Sequence, residues 1–450
     1  MRFVADEPIR RPDDDLLRFK DFVDLIEGAV RSTEAPFVYG VLGDWGTGKT
    51  SALRLLEARF RDENGRLGPR FPDGGNIIVP IWFDAWKYEN EAHIVYPLLY
   101  AIKKQYEFDV GQEKRSRIAS AFRTVVATSL LVVGQVGLKA LLSNLTSGAV
   151  DLKLLEESIT RVRKAQEGQE QSPFESILSD WTDSVGQFSE AFEALLDTYA
   201  RELVGSEDQQ RVRFLILVDD LDRCLPETTI SILESIKHHL SVPRCIFVLA
   251  INGRVIYQTI RRKYGSEMID GREYLEKIIN YSFYMPELDL SREREAMREF
   301  VEKQRQVILG RDDLRREFNA LINALSECKF NNPRRIKRIL NRFVIYLKRL
   351  PERDRGDAFL PNAIRLMLIA EYFPTLFQLY MRINREASER IKKLLDGSIK
   401  VQDFEVMHGI NVAHLLPQMR HMQELFNLPA ANDQIFANQV QQIFELTRLF

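Results

Sequence analysis

Phe37-Val38-Tyr39-Gly40-Val41-Leu42-Gly43-Asp44-Trp45-Gly46-Thr47-Gly48-Lys49-Thr50 is the stretch that decides the fold. An apolar run with the character of a buried strand enters a turn of the form GxxxxGK[ST]. A helical pattern follows, from near Lys49 to about Phe60. Strand, glycine loop and helix stand in the order that a phosphate-binding loop requires. The glycines let the backbone wrap closely, so that successive N–H groups point at phosphate oxygens. The helix N-terminus adds its partial positive charge. Lys49 is expected to reach the β- and γ-phosphates, and the Thr50 hydroxyl to ligate Mg²⁺. Gly43, Asp44, Trp45, Gly46, Thr47, Gly48 and Ser51 complete the candidate loop. The bland alternative is a chance glycine turn.

Far downstream, Phe214-Leu215-Ile216-Leu217-Val218 runs into Asp219-Asp220-Leu221-Asp222-Arg223. A buried strand that ends in carboxylates carries a desolvation cost unless a cation sits there. Asp219 is therefore the expected Mg²⁺ ligand, and Asp220 the residue that orients and activates the attacking water. The alternative is a loop of solvated acids. A further apolar run, 77–83, lies between the two motifs in the chain. That run, with an acid following the metal ligand, points to the branch of P-loop enzymes with an added central strand and a catalytic acid.

Other polar positions carry two or three readings each. Arg223 is either a surface ion-pair residue, with Asp222 or Glu227 as partner, or a cation offered to a neighbouring subunit's γ-phosphate. An extended path would carry it about 13 Å beyond Asp219. Asn252 follows the strand pattern Cys245–Ile251, at the sheet edge where ligands bind. It either senses the γ-phosphate or makes the turn Asn252-Gly253. Phe83-Asp84-Ala85-Trp86-Lys87-Tyr88-Glu89 either contacts nucleotide and the water-activating acid or packs the next helix. Residues 329–350 hold eight basic side chains and no acidic one. Asn332-Pro333 reads as a helix start, and Ile336, Ile339, Leu340, Phe343, Val344 and Leu347 form its apolar face. The cations off that face make a solvated surface, contact DNA, or bring Arg334 or Arg335 to the nucleotide.

Around these motifs the chain reads as α/β, with a parallel sheet covered by helices. Residues 1–36 are a helical lead-in, with Leu16, Leu17, Phe19, Phe22, Leu25, Ile26 and Val30 on one side. Residues 37–290 are the nucleotide-binding core, with a loop rich in Gly and Pro at 61–76 and a long helical insertion at about 90–205. Residues 291–450 are helical. Apolar residues make up 45% and charged residues 28% of the 450, the balance of a globular protein rather than a disordered or multi-span membrane chain. A net charge of −2 gives no bulk attraction to nucleic acid or anionic membrane. Cys224, Cys245 and Cys328 stand far apart with no CxxC pair, which reads as buried thiols in a reducing cytoplasm. Met1–Glu7 turns acidic before any apolar stretch forms, so no secretion signal is expected. Residues 124–138 lack charge, but a spanning helix needs roughly 20 apolar residues. A crossing there would also part the two halves of one nucleotide site. No span is expected, and a buried or partner-facing helix is.

Several of these stretches together resemble the KAP family of P-loop NTPases. They are Asp6-Glu7-Pro8-Ile9, the loop Gly43–Ser51 with Trp before its second Gly, and Phe83-Asp84-Ala85-Trp86. Asp219-Asp220-Leu221-Asp222-Arg223, Tyr274-Leu275-Glu276-Lys277-Ile278-Ile279 and Asn332-Pro333-Arg334-Arg335-Ile336-Lys337-Arg338 complete the set. The resemblance implies a bacterial ATPase of the kind that acts against phage beside a separate effector, binding ATP and Mg²⁺.

The reading that results is a cytoplasmic Mg²⁺-dependent ATPase, used as a switch or assembly engine through self-association or an effector complex. Two others compete with it. One is a scaffold gated by ATP binding, with incidental turnover. The other is a nucleic-acid translocase using the basic helix. The missing Asn-Lys-x-Asp motif favours adenine over guanine.

Overall fold

The apolar runs become one five-stranded, all-parallel sheet in the computed structural model. The structure describes residues 3–10, 15, 19–62, 65–67, 75–90, 95–133, 173–265, 270–286, 294–309, 314–327, 332–349, 360–428 and 433–447. The strands are β1 (Phe37–Leu42), β2 (Ile77–Asp84), β3 (Val212–Asp219), β4 (Cys245–Ile251) and β5 (Tyr281–Tyr284), in the spatial order β2-β3-β4-β1-β5. Every residue of β4 is buried, and β1 and β3 nearly so. This is why they read as continuous apolar runs rather than alternating ones. β2 carries Pro80, which has no N–H to donate, and it sits at an edge, where a strand tolerates that loss.

The strand that separates the two motifs in sequence is not the one that separates them in space. β2 is the outermost strand, whereas β4, which comes later in the chain, lies between β1 and β3. The end of β4 is thereby brought against the phosphate loop, and the Gly43 N–H donates to the Ile251 carbonyl at 3.2 Å.

The helices of this unit are α1 (Lys20–Ser32), α2 (Lys49–Arg59), α3 (Val95–Asp109), α4 (Arg115–Val133), α5 (Pro173–Val204), α6 (Pro226–Ser235), α7 (Gly253–Tyr264) and α8 (Gly271–Glu276). The stretch inserted between β2 and β3 is anchored by a polar network. The Tyr199 hydroxyl donates to Asp109 at 2.7 Å, and Asp109 pairs with Arg61 at 3.0 Å. The Tyr106 ring meets Tyr199 edge-on. Residues 134–172, which include the end of the uncharged stretch 124–138, lie outside the described residues, as does Cys328. Among the described residues no helix is long and apolar enough to cross a membrane. Cys245 is buried and Cys224 partly so.

The lead-in departs from its expected pattern. Its helix begins only at Lys20, and its buried stripe is Val23, Ile26 and Val30, while Leu25 is 60% exposed. That spacing follows the 3.6-residue period and leaves Leu25 off the face. Phe19 precedes the helix and is fully buried, and Leu16 and Leu17 lie outside the described residues.

The chain divides into two compact units. One comprises Pro8–Pro12 and Phe19–Met285, and the other Met1–Glu7, Asp13–Arg18 and Pro286–Phe450. The second is helical. Its helix Pro333–Arg349 buries Ile336, Ile339, Leu340, Phe343, Val344 and Leu347 on one face. The Asn341 side chain pairs with the Val4 backbone in both directions, at 2.8 and 3.0 Å.

Candidate nucleotide site

The phosphate loop leaves β1 and closes on α2 through Gly46 and Gly48, at φ 83° and 100°. L side chains rarely adopt that conformation. At Gly48 a Cβ would also stand 2.6 Å from the Phe19 ring, so the buried aromatic ahead of α1 supports the loop from beneath. Lys49 is buried. Its ammonium donates to the Gly43 carbonyl at 2.8 Å and the Asp44 carbonyl at 3.1 Å, and lies 3.7 Å from Asp222. Burial lowers its pKa, and the carboxylates of Asp222, Asp219, Asp44 and Asp220 oppose that shift. The cation thus rests on the loop's own carbonyls.

Adjacent strands bring the acids to this loop. The Thr50 hydroxyl donates to Asp219 Oδ1 at 3.2 Å, joining the two expected Mg²⁺ ligands across the motifs. Asp84 ends β2 in register with Asp219. Burial raises the Asp219 pKa, and the Thr50 bond works against the rise. Asp220 is pushed up to about 6, by burial first and then by the neighbouring Asp219 carboxylate.

Asp220 also turns the chain. It holds a left-handed conformation, φ 57° and ψ 25°, and a single 3₁₀ turn, Leu221–Arg223, follows. This turn overturns the extended path expected for Arg223, because the Arg223 N–H donates back to the Asp220 carbonyl at 3.2 Å. The Arg223 side chain pairs with Asp220 at 2.8 Å, not with Asp222 or Glu227, and lies over the Trp86 ring, 5.2 Å from its centroid. Within 83–89, Phe83 and Tyr88 stack on each other, whereas Asp84 and Trp86 join the acidic end of the site.

The same turn swings Asp222 inward, a role its sequence position had not indicated. Its side chain is 2% exposed. Asp222 Oδ2 accepts from the Trp45 indole N–H at 3.1 Å and the Asn252 backbone N–H at 2.8 Å, besides facing Lys49. The three-residue offset from Asp219 was the only signal in the sequence, and it has meaning only once Asp220 is known to be left-handed.

Asn252 stands between β4 and α7. Its side-chain oxygen caps α7 by accepting from the Arg254 and Val255 N–H groups, and its Nδ2 donates to Asp44 Oδ1 at 3.3 Å. The Thr47 hydroxyl donates to the Asp44 carbonyl at 2.8 Å. The Ser51 hydroxyl accepts from the Ile9 N–H at 3.1 Å, tying the chain's opening segment to α2. Arg334 and Arg335 belong to the helical unit. There Arg334 pairs with Asp6 at 2.5 Å, and Arg335 lies over the Tyr372 ring. In the same helix Lys337 donates to the Glu7 carbonyl and Arg342 pairs with Glu371.

The chain belongs to the KAP family: the family's P-loop domain matches residues 20–350. It is 22% identical over 353 residues to the phage T7 exclusion protein of Escherichia coli (strain K12), an alignment that takes in 76% of this chain. The chain spans 42% of that relative's length. Among solved structures it is similar to the Aeropyrum pernix ORC2 protein in its ADPNP–ADP complexes. There the TM-score is 0.37 and the identity 12%, over 100% of this chain and 98% of the other.

Proposed function

We propose that this P-loop NTPase is a Mg²⁺-dependent ATPase whose turnover drives a switch or the assembly of a complex in phage defence. The observation that carries the reading is the bond between Thr50 and Asp219, with Asp220 next in the chain. A hydroxyl and a carboxylate are hard oxygen donors, which suit Mg²⁺. Bound there, Mg²⁺ would neutralise charge on the β- and γ-phosphates. In this reading Lys49 exchanges the Gly43 and Asp44 carbonyls for phosphate oxygens. Asp220 orients water for in-line attack, and Asn252 aligns the γ-phosphate end through its hold on Asp44. Adenine is favoured because no Asn-Lys-x-Asp guanine motif is present.

The defence role rests on the family and on the name of the Escherichia coli relative. The cytoplasmic setting rests on the unpaired cysteines, and an effector as partner on the family resemblance. A scaffold gated by ATP binding draws support from the Arg223–Asp220 pair, which occupies the proposed base. A translocase draws less, because Arg334, Arg335, Lys337 and Arg342 already hold contacts within their own unit. The test is phosphate release from ATP and GTP with and without Mg²⁺, alongside phage plating on cells that carry the parent or Asp220→Asn. Release that ignores Mg²⁺ would refute the ATPase reading. Full protection by a variant that cannot turn over would favour the scaffold.

A further inference from the structure

A cavity of about 640 Å³ opens beside the edge strand β2, and no residue of the phosphate loop lines it. Its volume lies within the range of small-molecule sites. One wall is α3, where Tyr100, Lys104 and Phe108 recur at every fourth residue and so share a face. Tyr100 is 46% and Phe108 59% exposed, although both line the cavity. Phe108 is flanked by Gly65 and by the Arg61 guanidinium, 5.9 Å from its ring centroid, and both of these also line the cavity. Opposite them, the Arg54 guanidinium lies over the Trp82 ring, 3.2 Å from its centroid, and is fixed by Glu57 at 2.7 Å. The Arg54 Nε has no hydrogen-bond partner.

The lining is cationic on balance, with Arg54, Arg61, Lys87 and Lys104 against Glu57 and Asp84. Arg54 and Arg61 are held by Glu57 and Asp109. Lys104 forms no ion pair among the described residues and stands between the two exposed rings. A cation flanked by aromatic faces recognises a molecule that joins a planar ring to an anion.

We propose that this cavity is a second ligand site, for a small molecule of the nucleoside-monophosphate class. Its ring stacks on Tyr100, and its phosphate pairs with Lys104 and Lys87. The site does not depend on the ATPase reading, because none of its residues is assigned to turnover apart from Asp84 at its rim.

AMP is the discriminating probe, since it lacks the β-phosphate that a phosphate loop grips. Calorimetric titration of the full chain should show AMP binding in the parent and unchanged binding in Lys49→Ala. Lys104→Glu and Tyr100→Ala, both at exposed positions, should each weaken it by about tenfold or more. Their thermal unfolding should match the parent, which excludes a folding defect. Three results would overturn the site itself. They are no AMP binding at millimolar concentration, binding lost in Lys49→Ala, or binding untouched by both cavity substitutions. Inorganic phosphate or adenosine alone should bind far more weakly than AMP. Equal binding of either would remove one half of the recognition and refute the ligand class.

Discussion

Arg223 Nη2 stands 2.8 Å from Asp220 Oδ1, so the acid proposed to activate water is paired with a cation three residues ahead of α6. The guanidinium is steadied from the other side by the Trp86 ring. Hydrolysis with Asp220 as base therefore requires this pair to open or to shift. Exchange of Asp220 for Asn removes the base and keeps the size. ATP binding should persist, and turnover should fall by about 100-fold or more, measured as phosphate release under saturating ATP. Unchanged turnover would move the role of base to Asp84, the register partner of Asp219.

The destination of Arg223 is a separate question. A cation supplied in trans contributes about 10³–10⁵ in rate. If Arg223 leaves Asp220 for a neighbour's γ-phosphate, specific activity should rise with protein concentration. Mixing Arg223→Ala with Lys49→Ala should then restore part of the activity, because each supplies what the other lacks. Full activity of Arg223→Ala alone, at every concentration, would assign Arg223 to ion pairing and turn attention to Arg334 and Arg335.

Lys49→Ala should abolish tight ATP–Mg²⁺ binding. The present acceptors of its ammonium are two loop carbonyls. Equilibrium binding of a fluorescent ATP analogue measures this directly. Parent-like affinity would remove Gly43–Thr50 as the nucleotide site.

Asp222 accepts two hydrogen bonds and faces the Lys49 ammonium at 3.7 Å, so its loss should be felt throughout the site. In Asp222→Ala the Trp45 indole and the Asn252 N–H lose a shared acceptor, and Lys49 loses an ion-pair partner. Removing an acceptor from a buried donor costs about 1–3 kcal/mol. Denaturant unfolding of the nucleotide-free protein should report that loss. Asp222→Asn keeps one acceptor oxygen and should recover part of it. A parent-like midpoint for the alanine variant would leave Asp222 without a structural role.

The raised pKa of Asp220, near 6 against an ordinary 3.8, has a definite sign in stability. The folded state holds this proton more tightly than the unfolded chain does. Stability therefore falls as pH rises from about 4 to about 6, and the full cost is present above that window. In chelator and without nucleotide, Asp220→Asn should be more stable than the parent at pH 8, by about 1–3 kcal/mol, with the gain vanishing near pH 4. Asn also accepts the left-handed backbone at this position. Thermal melts across that pH range measure it, and a gain that does not depend on pH would point to a cause other than charge.

The sequence by itself determined the strand–loop–helix of the phosphate loop, the acid-ended strand and the parallel sheet. Each rests on local chemistry, namely glycines that free the backbone, an apolar run that must be covered, and carboxylates that follow it. Tertiary structure alone decided which residues meet. Pairing between strands that are distant in sequence put β4 between β1 and β3, and so brought Asn252 to Asp44. One left-handed residue, Asp220, turned Arg223 back onto the acid and Asp222 into the core, against an extended reading of the same five residues. Residue spacing measures distance along the chain. A single change in the sign of φ redirects everything after it, and that sign is settled by burial and pairing with strands that the local sequence does not contain.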